Sequence, residues 1–323
     1  MKVRYMPDLM APPPPPQVAA IPTDASAATD RAGWLAAMET IAAEEGSLAP
    51  LGPRHWAFFV DDGTTLLVSF EMLDQARARP GQMPLAHDIA AAQGWSHLCI
   101  IADGQTWYRD PEVWDYFDRL VDDAFFDGYQ QVLFYGAGMG GYAACAFAVT
   151  APGARVLALA PCATLAPAQA GWDTRARAAR RLDFTSRYGY APDMLEGAGK
   201  VVILHDPAQR EDAMHAALFR APHITRIAAR HAGDRLESVL GNLGLLPGLI
   251  DDAMRGRLDA PRFAAIWRKR RDYGPYLRHL LELAAASGRP QREAMICRSV
   301  VRRLRAPEFA KRLANLTASP TAG

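Results

Sequence analysis

Cysteine is scarce in this chain of 323 residues. Cys99, Cys145, Cys162 and Cys297 lie far apart, and no two form a C-x-x-C pair. That excludes a disulfide framework and fits free thiols in a reducing compartment. No apolar run is long enough to span a membrane. Residues Met1 to Met10 lack the apolar core of a signal peptide, so a cytoplasmic location is expected. Net charge is nearly absent at +1, which removes any overall demand for nucleic acid or membrane. No phosphate loop and no metal-binding spacing occur, and neither a cofactor nor a metal is expected. No specific nucleic-acid motif is present.

What is there is an ordinary globular composition, half of it hydrophobic, with charge unevenly spread. Arg255 to Arg312 holds 16 Lys/Arg against 5 Asp/Glu, a net of +11, so the remainder carries −10. Such a tail would suit nucleic acid or an acidic membrane, or would dock on its own acidic body. Residues 1–30 read as a disordered leader carrying the proline run Pro12–Pro16. Residues 31–245 read as one α/β domain, 246–318 as a basic helical appendage, and 319–323 as a disordered tail.

The pattern within 31–245 is regular. Residues 31–46 look helical. His55–Val60 and Thr64–Phe70 flank Asp61-Asp62-Gly63 and read as a hairpin. Helices are expected near 84–94, 111–126 and 209–219. Apolar strands are expected at 97–102, 131–135, 155–160, 200–205 and 224–229. Continuous apolar strands alternating with helices predict a doubly wound, mostly parallel sheet covered on both faces. After 245 only helical spacing remains, near 246–256, 261–271, 274–287, 290–304 and 306–316.

The most specific segment is Gln-Val-Leu-Phe-Tyr-Gly-Ala-Gly-Met-Gly-Gly-Tyr at 131–142. A buried strand runs into a glycine-rich turn and then a helix of small residues. Over roughly residues 50–245 the chain resembles the α/β-hydrolase superfamily, whose nucleophile sits on such a turn in the pattern G-x-S-x-G. Gly136, Gly140 and Gly141 match the glycines of that turn, and Gly138 stands at the nucleophile position. The resemblance implies further roles by chain order. Asp206, directly after the strand at 200–205, matches the acid. His231, after the last strand, matches the histidine. Met139 and the loop residues Gly104 and Gln105 match the oxyanion donors. Residues 171–190 match the lid, with Trp172, Arg181 and Tyr188 as candidate ligand contacts. Trp107, Tyr108 and Arg109 form a candidate opposite wall, and such Arg and aromatic side chains suit anionic or sugar-like ligands.

Gly138 departs from that pattern, because glycine supplies no attacking atom. Three readings stay open. The old pocket binds a small ligand or a protein partner. Asp206 and His231 activate a water for direct hydrolysis. Cys162, on the same rim of the sheet, replaces the serine. Blander readings stand beside each residue: Asp206 as a helix cap, His231 as an idle loop residue, and the aromatics as core. The resemblance extends to chains bearing the name phosphoadenosine phosphosulfate reductase. A thiol-dependent reductase needs a reactive cysteine in its own motif and a phosphate loop, and neither occurs here.

Overall fold

The computed structural model describes residues 24–43 and 46–318. The proline run and the tail at 319–323 lie outside the described residues. Residues 24–30 pack onto the body, where Ala25 is buried and its N–H donates to the Gly81 carbonyl at 3.0 Å.

Helix α1 (Arg31–Ala42) precedes strands β1 (Gly46–Pro50), β2 (His55–Val60) and β3 (Thr65–Met72). Helices α2 (Leu73–Arg77) and α3 (Leu85–Ala91) lead to β4 (Ser96–Ala102), and α4 (Pro111–Asp122) leads to β5 (Gln131–Ala137). Helix α5 (Met139–Phe147), strand β6 (Arg155–Leu159), helix α6 (Pro167–Ala170) and strand β7 (Val201–His205) follow. Then come α7 (Arg210–Ala216), β8 (Ile224–Ala228) and α8 (Leu236–Asn242). The chain continues with α9 (Leu246–Met254), α10 (Ala260–Ile266), α11 (Gly274–Ala286), α12 (Pro290–Arg303) and α13 (Pro307–Ala318).

The eight strands form one sheet in the order β1-β2-β4-β3-β5-β6-β7-β8. β2 is antiparallel to both β1 and β4, and every other pair is parallel. This is the strand order of the α/β-hydrolase fold. Strand residues alternate between its two faces, as the two-residue period requires. Val132 and Phe134 of β5 join the core under α4 and α5, whereas Leu133 and Tyr135 join the core under α3, α8 and α9. The Phe117 and Phe147 rings stack 4.3 Å apart and lock α4 to α5.

Three expectations are corrected. β2 and β3 do not form a hairpin, because β4 lies between them. The turn instead wraps the Ser96 side chain. Its Oγ accepts the Asp62 and Gly63 N–H groups at 3.0 and 3.1 Å and donates to Asp61. The helix expected to reach residue 46 ends at Ala42, and an edge strand follows it. The C-terminal helices do not dock by charge. Their ion pairs are local, Arg278 with Glu308, Arg303 with Asp272, Arg312 with Glu293 and Arg262 with Asp252 of α9, and among the described residues none joins 260–318 to the chain before 246. The joint is apolar: α9 lies against β5 and β6, and Phe263, Trp267, Leu277 and Phe309 extend the same core.

Candidate functional site

The turn between β5 and α5 lies at the C-terminal edge of the parallel strands, where open α/β sheets place their ligands. Gly138 has φ +54° and ψ −114°. Its N–H donates to the Leu159 carbonyl at 2.8 Å. A Cβ at Gly138 would meet nothing within 4 Å, so the position faces open space. The neighbours differ. A Cβ on Gly136 would collide with the Gly140 carbonyl, and one on Gly140 with the Phe70 carbonyl. Those two glycines let the α5 backbone press against β3 and β5. Gly138 alone is spare.

A cavity of about 610 Å³ opens over this turn. Its floor is Gly138, Met139 and Gly140, and its apolar wall is Phe70, Met72, Trp107 and Tyr108. Trp107 and Tyr108 carry φ of +55° and +54°, an uncommon strain for bulky side chains. Several contacts hold it in place. The Trp107 N–H meets Met139 Sδ at 3.0 Å, the Tyr108 N–H donates to Thr106 Oγ1 at 3.2 Å, and His55 Nε2 lies 2.7 Å from the same hydroxyl. Gln105 and Met139 both line the cavity, and among the described residues neither backbone N–H has an acceptor. Gly104 lies outside the lining, with φ +84°.

The other matched residues separate from this cavity. Asp206 is buried, and its carboxylate accepts three backbone N–H groups: Ala208 and His231 at 3.0 Å on Oδ1, and Gly233 at 2.9 Å on Oδ2. It staples the loop after β8 to the end of β7. His231 has φ +60°, and its buried Nδ1 has no partner among the described residues. Neither residue lines the cavity.

The candidate ligand contacts divide in the same way. Arg109 is 4% exposed and spent on structure, donating to the Asp183 carbonyl at 2.6 Å, the Arg187 carbonyl at 2.8 Å and the Tyr142 hydroxyl at 3.3 Å. Tyr188 donates to Asp118 at 2.5 Å and packs on Phe147. Trp172 packs its ring on His215, and Arg181 is exposed. None of these four lines the cavity.

Beyond Gln105, and Arg175 from the lid segment at 171–190 whose basic residues the sequence singles out, the polar lining comes from residues given no role in the sequence reading. Asp173 and Arg175 lie between β6 and β7, and Asp212 lies on α7. Asp234, Arg235, Glu237 and Ser238 follow β8. Arg175 bridges Asp173 and Asp212, at 2.8 and 2.6 Å. Burial works to raise the Asp173 carboxyl, but hydrogen bonds from Arg175 and His215 outweigh it and hold it at about 2. The Ala163 N–H donates to His215 Nδ1 at 3.2 Å, so the proton sits on Nε2, which donates to Asp173 at 3.0 Å. Burial lowers the imidazole's affinity for a second proton. Glu237 Oε1 accepts the Tyr135 hydroxyl at 2.5 Å, and burial pushes its carboxyl upward. The sequence signal for these groups is thin. Asp-Arg-Leu-Glu-Ser after the last strand reads as an ordinary helix start.

Cys162 lines the cavity near Asp173 and His215. Burial drives its thiol well above the usual range, and neither ring nitrogen of His215 is free to take its proton. That arrangement leaves an inert thiol. It does not fit a metal either, because a metal on Nε2 would require a proton on Nδ1, where the Ala163 N–H already points.

No family model and no curated protein matches the chain. Solved structures do resemble it in fold. Carboxyl esterase 2 of the mycorrhizal fungus Tuber melanosporum is 14% identical with a TM-score of 0.42, over 65% of this chain and 83% of the esterase. The capsule O-acetyltransferase of Neisseria meningitidis serogroup A is 11% identical with a TM-score of 0.39, over 60% of this chain and 91% of that one. Alpha/beta hydrolase domain-containing protein 10 from mouse is 14% identical with a TM-score of 0.40, over 64% of this chain and 98% of its own. Among the described residues no helix is long and apolar enough to cross a membrane.

Proposed function

We propose that this protein is a hydrolase-derived binding protein, which lacks the serine nucleophile and holds a small ligand in the cavity over Gly138. The observation that carries the reading is the turn itself. Its backbone takes the strained geometry that would present a side chain to the cavity, and the residue there has none. The other candidate nucleophiles lack support. Cys162 is held as a neutral thiol, and the exposed Ser238 has no imidazole in the lining beside it.

The volume suits a small organic molecule. The unpaired N–H groups of Gln105 and Met139 offer donors for a carbonyl or hydroxyl oxygen. The mixed aromatic and polar walls favour the sugar-like half of the sequence expectation over the anionic half, since Arg109 and Arg181 do not reach the cavity and Arg175, which does, is paired with Asp173 and Asp212. Asp206 and His231 stand outside the lining, which argues against their activating a water in this cavity.

The test is ligand-observed NMR with benzyl alcohol as a neutral probe. Native protein binds it, and Ser238→Trp, which fills the cavity from an exposed position, abolishes binding. Binding undiminished in the variant sinks the reading, and so does failure of the native protein to bind either this probe or a charged one of the same size.

A further inference from the structure

Resting on the reading of the cavity as a ligand site, we infer that the ligand is a small organic cation, an amine or quaternary ammonium with an apolar or hydroxylated body. The cavity is lined by four carboxylates (Asp173, Asp212, Asp234 and Glu237) and two guanidiniums (Arg175 and Arg235). That is a formal −2 with every group ionised, or −1 with Glu237 protonated. The balance is firmer than the count, because Arg175 is already engaged. Its guanidinium is shared between two buried carboxylates, 1% and 6% exposed, so the triad it forms with them keeps a net −1. His215 adds no positive charge, since its hydrogen bonds fix it as the neutral Nε2–H tautomer. Arg235 is exposed and stands beside Asp234 at the rim. An anion entering this space meets unbalanced carboxylates in a partly desolvated setting, where like charges repel most strongly.

The rest of the lining selects among cations. Phe70 and Trp107 supply the aromatic part of the lining, with Tyr108 fully covered beside them. Aromatic side chains and carboxylates in one lining suit a weakly hydrated organic cation rather than a small, strongly hydrated metal ion. Among the described residues a transition metal finds no ready ligand set here, because the proton on His215 Nε2 and the neutral Cys162 thiol exclude the one gathered trio of donors that touches the cavity.

The experiment is isothermal titration of the full chain with three probes of matched size: benzyltrimethylammonium, benzyl alcohol and benzenesulfonate. The ammonium is expected to bind about tenfold more tightly than the alcohol, with the sulfonate weakest, and added salt should weaken the ammonium alone. Asp234→Asn, an exposed change that leaves the buried triad intact, should weaken ammonium binding about threefold, and Arg235→Gln should strengthen it by a similar factor. Sulfonate binding as tight as ammonium binding overturns the inference, and so does alcohol binding of equal strength. In both cases loss of the bound probe in Ser238→Trp would leave the cavity reading standing. Binding of none of the three overturns both.

Discussion

Asp206 holds His231 by its main chain. Its Oδ1 accepts the His231 backbone N–H at 3.0 Å, while the buried ring Nδ1 has no partner among the described residues. A carboxylate that orients a catalytic imidazole would bond the ring. Here it ties a loop to the strand end. Asp206→Ala leaves three backbone donors without an acceptor and should lower stability by about 3 kcal/mol. His231→Gly should change it by less than about 1 kcal/mol, because glycine takes the left-handed backbone without strain. Urea denaturation of the two variants measures the difference, and equal losses would refute the stapling role.

The glycines of the turn should separate in the same assay. Gly138→Ser adds a side chain into open space and meets only backbone strain, about 1–3 kcal/mol. Gly140→Ala drives a methyl into the Phe70 carbonyl and should destabilise more, or prevent folding. A Gly140→Ala protein as stable as Gly138→Ser would mean that α5 is free to move away from β3.

Arg109 ties the segment at 183–188 to the loop after β4 and to α5, by two carbonyls and the Tyr142 hydroxyl. Arg109→Met should release that segment, at about 3 kcal/mol, and speed tryptic cleavage after the exposed Arg187. Unchanged cleavage would show that the segment is held by its aromatic contacts alone.

Acid should weaken the fold in two stages. Burial depresses the imidazoles of His97 and His215, so the unfolded chain binds protons that the folded one refuses. Stability is therefore full above the ordinary histidine pKa of about 6.5 and falls as pH drops below it. Asp173, held at about 2, contributes stability that is present above about 4 and lost as pH falls toward 2. Urea midpoints should decline between pH 7 and 5 and again below 4. A flat profile from 7 to 5 would contradict neutral buried histidines.

The fold was legible because its signals are local and repeated. Leu133 and Tyr135 alternate with Val132 and Phe134, and Gly136, Gly140 and Gly141 stand where backbones touch. The apparent hairpin at Asp61–Gly63 misled because the partner of that turn is Ser96, 33 residues away in sequence from Gly63. The site was less legible for a related reason. Strand-end position gave Gly138, Met139 and Gln105, which line the cavity, and also Asp206 and His231, which do not. Where a strand-end side chain points is settled by loop backbone that no short motif encodes. The carboxylates at 173, 212, 234 and 237 carry no motif at all, and only the folded chain brings them together.

The most direct test of the central claim, a ligand cavity without a nucleophile, is the intact mass of the native protein after exposure to a fluorophosphonate. The mass should be unchanged, and Ser238 and Cys162 should be unmodified. A stoichiometric adduct on any residue lining the cavity would contradict the account.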